Sequence, residues 1–144
     1  MKALVVYDSA NGSADQVAQA ICSGMKQMGF TDAVCKAASA VSPTDVQGTN
    51  VLVVGSPNGF MAGRKASKVI RNAAGKSGLK GVAFETRQAN SAAGSLEKIA
   101  AAMSASGIEV LDKTYFSLAA NKALMDGERD MAEAYGRNLP SRFQ

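Results

Sequence analysis

Ala3-Leu-Val-Val-Tyr-Asp-Ser-Ala-Asn-Gly-Ser-Ala-Asp15 decides the fold. Its first five residues are an apolar, β-branched run of strand type, and the run breaks at Asp8 into a small polar loop. Beyond Ser13, Val17, Ala18, Ile21, Met25 and Met28 recur at three and four residues, the period of an amphipathic helix. A strand that delivers a glycine-containing loop onto a helix start brings backbone N–H groups together at the positive end of the helix dipole. The loop Ser9-Ala10-Asn11-Gly12-Ser13-Ala14 is therefore read as an anion cradle, with a phosphate as its natural guest. The plainer reading is an ordinary turn with Asn11 or Ser13 as N-cap.

Working outward, apolar strand-like runs recur at Ala3 to Tyr7, Ala33 to Cys35 (weakly), Val51 to Gly55, Gly81 to Phe84 and Glu109 to Leu118. Helical spacing separates them: Ala62, Ala66, Val69, Ile70 and Ala73, then Ala92, Leu96, Ile99, Ala100 and Met103. A last amphipathic segment is predicted from about Asp126, as N-cap, to Leu139, with Pro140 beyond it. Ser42-Pro43 with Asp45 reads as the capped start of a short helical turn. Alternation of five strands with helices predicts an α/β domain built on a mainly parallel sheet. Runs such as Val-Leu-Val-Val suit strands covered on both faces.

The 144 residues suffice for one domain with its own core, and no repeat or linker divides them. No run approaches the roughly 18 consecutive apolar residues of a membrane helix, and Lys2, Tyr7 and Asp8 spoil a signal peptide, so a cytoplasmic protein is expected. The absence of histidine argues against Ser-His hydrolases and zinc enzymes. Cys22 and Cys35, each within an apolar pattern, are read as buried, inert thiols. Residues 64–87 hold seven cations and the single acid Glu85, a net +6 that leaves −2 for the rest of a chain of net charge +4. The basic character is one patch, centred on Arg64, Lys65, Lys68 and Arg71. Without a nucleic-acid motif or interleaved aromatics it suggests a solvated face or a docking surface for an acidic partner protein.

Ligands of doubly wound sheets bind outside the carboxyl ends of the strands. Three loops are thus expected to matter: Asp8 to Ala14, Ser56 to Gly63 and Glu85 to Gly94. In the second, Phe60 and Met61 are the bulky residues that can cover a planar ring. The chain lacks a Gly-x-Gly-x-x-Gly turn and a Walker lysine, and Gly55-Ser56 stands where a receiver domain has its phosphoacceptor Asp. A mononucleotide remains.

These residues resemble the flavodoxin family. The resemblance rests on Met1 to Tyr7, the loop Ser9 to Ala14, Val17-Ala18-x-x-Ile21 and the third-strand exit Gly55-Ser56-Pro57. Ala83-Phe84-Glu85-Thr86-Arg87, Ser91-Ala92-Ala93 and Ala123-Leu124-Met125-Asp126-Gly127-Glu128 are similar to a flavodoxin-like branch with a Phe-Asp-Thr-Arg motif. The resemblance implies a three-layer flavodoxin-like sandwich over residues 1–144, with a five-stranded parallel sheet in the order 2-1-3-4-5. It implies flavin mononucleotide (FMN) as cofactor, its phosphate on Ser9, Ala10, Asn11, Gly12, Ser13 and Ala14. One face of the ring would meet Pro57, Asn58, Gly59, Phe60 and Met61; the other face or its pyrimidine edge would meet Thr86, Arg87, Gln88 and Asn90. Arg87 would either offset negative charge at the N1/O2 edge of a reduced flavin or pair with Glu85.

The implied function is electron transfer between redox enzymes, docked on the basic patch. An FMN-dependent NAD(P)H or quinone oxidoreductase and a flavin-free binding module are the alternatives. Two departures bear on affinity. The family's Asn-Thr pair is Ser13-Ala14, and the chain has no Trp. A lost hydrogen bond to phosphate costs ~1–3 kcal/mol and a lost aromatic stack roughly 0.5–1.5 kcal/mol.

Overall fold

The computed structural model describes residues 2–8, 13–58, 64–88, 91 and 94–143. Five strands, β1 (Ala3–Tyr7), β2 (Val34–Ala37), β3 (Val51–Pro57), β4 (Lys80–Gln88) and β5 (Glu109–Leu118), form one parallel sheet in the order β2-β1-β3-β4-β5. The helices α1 (Ala14–Gln27), α2 (Pro43–Gln47), α3 (Arg64–Asn72), α4 (Ser95–Ala105) and α5 (Glu128–Asn138) connect them, with short 3₁₀ turns at Ala38–Ala40 and Pro140–Arg142.

Alternation along the strands divides the core in two. Val5, Val53, Val82 and Phe84 point to the face covered by α1 and α5. Leu4, Val6, Leu52, Val54 and Ala83 point to the face covered by α3 and α4. Both faces are apolar because both are covered, as the unbroken Val-Leu-Val-Val run predicts. The result is the three-layer sandwich expected from the sequence.

On the first face, α1 and α5 meet at glycines. A Cβ built on Gly24 would lie 2.1 Å from the Glu133 carbonyl oxygen, and one on Gly136 would lie 2.1 Å from that of Ile21. The two backbones touch where side chains would otherwise hold them apart. The C-terminal end is tied down as well: the Tyr135 hydroxyl donates to Asp112 Oδ2 (2.7 Å), Arg142 pairs with the same oxygen (2.8 Å), and Phe143 meets Phe30 edge-on.

Several boundaries differ from the sequence reading. The third and fourth strands run on past Gly55 and Phe84, so Ser56, Pro57, Glu85, Thr86, Arg87 and Gln88 belong to strands, not loops. The ten-residue β5 carries the pairing outward from Glu85↔Tyr115 to Gln88↔Leu118, which an apolar run ending at Phe84 does not reveal. The second strand is Val34–Ala37, beginning one residue after buried Ala33 and running two residues past Cys35. Met28 is the C-cap of α1 and more than half exposed, not a core position. The last helix begins after Gly127, at φ 83°, because Glu128 N–H bonds the Met125 carbonyl in a turn that takes up Asp126. The Ser42 turn forms as read, with a reciprocal capping box between Ser42 and Asp45.

Burial pushes the Cys35 thiol up to about 12 and raises Cys22 as well. Neither thiol is ionised at neutral pH.

Two outcomes are expected. Gly24→Ala or Gly136→Ala drives a methyl into a carbonyl that cannot rotate aside, and should cost about 2 kcal/mol or more in urea denaturation, at the upper end for overpacking. For the thiols, the folded protein holds a Cys35 proton that the unfolded chain releases near pH 9, so stability falls as pH rises from 9 towards 12. Denaturation midpoints across that range should show a decline that Cys35→Ala lessens.

Candidate functional site

The parallel strands bring the end of β3 (Pro57, followed by Asn58), the end of β4 (Thr86 to Gln88) and the end of β5 with the turn after it (Leu118 to Lys122) to one edge of the sheet. The start of α1 (Ser13, Ala14) stands at the same edge. Together with Ser91, the strand-end residues line a narrow cleft of about 70 Å³. A larger hollow of about 500 Å³ lies between α4 and the N-terminal half of β5, away from these ends. The cleft lies outside the carboxyl ends of the strands, the side on which ligands of such sheets bind.

Side chains on β4 alternate across the sheet. Glu85 and Arg87 face α4, whereas Thr86 and Gln88 share the α1 and α5 face with Phe84. Glu85 is completely buried. Its Oε1 accepts from Ser95 Oγ (2.9 Å) and from the backbone N–H groups of Gly94 (3.4 Å) and Leu96 (3.3 Å), so a carboxylate from the sheet caps α4. Its Oε2 lies 3.4 Å from Arg87 Nη1. The Arg87 guanidinium also lies over the Tyr115 ring, 3.6 Å from its centroid. Of the two roles the sequence leaves open for Arg87, the ion pair with Glu85 is formed, although Arg87 also lines the cleft.

On the opposite face, Thr86 is fully buried, and its Oγ1 has no hydrogen-bond partner among the described residues. A buried hydroxyl without a partner is costly, of order 1–3 kcal/mol. Thr86 is one of the residues around the cleft. Gln88 instead donates its side-chain N–H groups to the carbonyls of Ala119 (3.2 Å) and Ala120 (2.9 Å), fixing the turn after β5. Asn58 is joined to β4 by its backbone N–H, which donates to the Thr86 carbonyl (2.8 Å).

Ser13 occupies the N-cap position of α1, yet makes no side-chain cap bond. Its hydroxyl donates to the Lys122 carbonyl (2.9 Å). Lys122 has φ 67°, the one non-glycine positive φ among the described residues, and its N–H donates to the Ala119 carbonyl (2.9 Å). Ala14 is buried as the first residue of α1. Ser9, Ala10, Asn11, Gly12, Gly59, Phe60, Met61 and Asn90 lie outside the described residues.

No protein-family model and no curated protein matches the chain. Solved structures do. A flavodoxin from the domain Archaea superposes with TM-score 0.77 at 19% identity, and a flavodoxin of Streptococcus pneumoniae TIGR4 with TM-score 0.79 at 10%. Oxidised Flavodoxin 2 from Bacillus cereus superposes with TM-score 0.78 at 13% identity. In all three comparisons, 99% of each chain is covered. The chain has the flavodoxin fold.

In a sheet of this order the switch point lies between β1 and β3, and the cleft adjoins it through Pro57 and Asn58. Two observations fit such a cofactor: the unpartnered Thr86 hydroxyl and a helix start whose N-cap side chain is turned elsewhere. Sequence reading misses Lys122 and Leu118 as lining residues. Asn121-Lys122 offers a turn signal at most, and no motif marks it. It also misses the carboxylate cap, since Glu85 is nine or more residues from the amides it serves.

Replacing Glu85 by Ala strands Arg87 and uncaps α4 together. The expected cost is about 3–5 kcal/mol in chemical denaturation, with Glu85→Gln losing less because it retains an acceptor.

Proposed function

We propose that the protein is an FMN-binding electron-transfer protein. The observation that carries the reading is the buried, unpartnered Thr86 hydroxyl in a cleft at the carboxyl end of a flavodoxin-type sheet. The cleft's volume suits a polar tail rather than a tricyclic ring. Thr86 is therefore assigned to the polar part of the cofactor, and the ring to Asn58, Gly59, Phe60, Met61 and Asn90. Bound flavin supplies one- and two-electron chemistry. The protein's part is to bind, orient and partly exclude water. Nothing in that role requires a general base, in keeping with a chain that has no histidine.

Glu85 offsets the Arg87 charge at short range, and further positive charge stands at Lys122 in the cleft lining and on α3. Arg64, Lys65, Lys68 and Arg71 are exposed there, and among the described residues none of them forms an ion pair. Positive charge on that side favours reduction of a flavin and offers a docking face to an acidic redox partner.

Titration of FMN with the purified protein should quench flavin fluorescence at micromolar concentrations. Colourless protein that leaves added FMN fluorescence unchanged would overturn the reading. Thr86→Val provides a sharper check because its two effects have opposite signs. Without cofactor the variant should be more stable by about 1 kcal/mol, since a stranded hydroxyl is removed, while FMN affinity falls by a comparable amount.

A further inference from the structure

We propose that Cys22 and Cys35 form a two-thiolate site for copper(I), set between α1 and the edge strand β2. The site is separate from the cleft, and the inference does not depend on the FMN reading.

The fold brings the two thiols to one place. Gln19, Cys22, Ser23 and Lys26 recur at three and four residues, so they form one stripe along α1. Alternation along β2 sends Lys36 to one face of the sheet, where it pairs with Asp45 of α2. Cys35 goes to the other face and packs against the core cluster that contains Cys22. The α1 stripe and Cys35 line a single hollow of about 430 Å³. Within it the charge of a Cys22 thiolate reaches its neighbour and pushes the Cys35 thiol up. β2 is the outer strand of the sheet, and Cys35 is partly exposed while Cys22 is buried. A small ion therefore meets Cys35 first and Cys22 behind it.

Chemistry selects the ion. The cysteines are the only soft donors in the lining, beside the neutral oxygens of Gln19 and Ser23 and the cation Lys26. Among the described residues no group of three or more His, Cys, Asp or Glu is gathered to hold a metal. Zinc, which takes four such ligands in a structural site, is not served. Copper(I) is soft, prefers thiolate and is satisfied by two of them in line. On binding, two S–H bonds break, two Cu–S bonds form, two protons leave to water, and copper stays in its +1 state. The product carries one net negative charge. Lys26 stands in the same lining, lowers both thiols and forms no ion pair among the described residues, so it is placed to offset that charge. Asp15, whose field raises Cys35, is the opposing acid. The burial that keeps both thiols protonated and poor nucleophiles also shields a bound copper(I) from water.

The test is an anaerobic titration of the reduced full chain with copper(I) in competition with a coloured copper(I) chelator. One equivalent should be held per chain, and Cys22→Ala and Cys35→Ala should each weaken binding by about a hundredfold or more, since one sulfur alone does not suffice. Copper(I) held undiminished by either variant, no copper(I) held by the unmodified protein, or one ion shared between two chains overturns the site. Because alanine at a buried position can loosen the fold, amide spectra of the unmodified protein give a second readout. Copper(I) should shift the signals of residues 19–26 and 33–36. Shifts confined to the surroundings of the exposed thioethers Met28, Met125 and Met131 mean surface coordination only, and overturn the proposal.

Discussion

A carboxylate cut off from water sits where β4 reaches the edge of the sheet, and the surroundings of the cleft are organised to satisfy it. Burying the Glu85 charge without compensation would cost several kcal/mol. The molecule answers with the Ser95 hydroxyl, two backbone N–H groups at the start of α4 and the Arg87 guanidinium. Each answer places something else. α4 begins where Glu85 can cap it, Arg87 is drawn onto the α4 face and across Tyr115, and Ser95 Oγ comes within 3.2 Å of the Pro57 carbonyl. The ends of β3 and β4 and the start of α4 are thus held around one buried group.

The opposite face of the same strand shows a different economy. There Gln88 is spent on backbone carbonyls, which fixes the turn after β5, while Thr86 is left with an unmet hydrogen bond. Adjacent residues of one strand therefore play separate roles because alternation sends them to opposite sides. Glu85 and Arg87 build the frame, while the Thr86 hydroxyl has no partner among the described residues. Ser13 follows the same logic when it turns from its own helix to the Lys122 carbonyl.

Much of the fold was legible in the sequence, because apolar periodicity reports directly on burial. Val51 to Val54 and Ala3 to Val6 announce strands covered on both faces, and Ser42-Pro43-Thr44-Asp45 announces its own cap. The ends of β3 and β4 were less legible. Charged and polar residues there read as loop, whereas the sheet continues through them once Glu85 Oε1 finds partners far along the chain, its Oε2 facing only Arg87. The same limit hid Lys122. Its position depends on Ser13, 109 residues away, and on Gln88, and no local pattern encodes either contact. The resemblance carried by Gly12, Pro57 and Thr86 pointed to the carboxyl ends of the strands, but could not show which side of β4 each residue faces.

The glycine contact between α1 and α5 joins elements far apart in the order of synthesis. Until α5 emerges from the ribosome, Val17, Ile21 and Met25 have only one side of their eventual burial, and the β1, β2 and β3 portion of the sheet carries an uncovered helix face. Closing this contact requires a long chain segment to be already ordered, which makes it a late, non-local step. The nascent chain is therefore exposed to misassociation through its first helix for most of its translation. It escapes that hazard only when the last helix arrives.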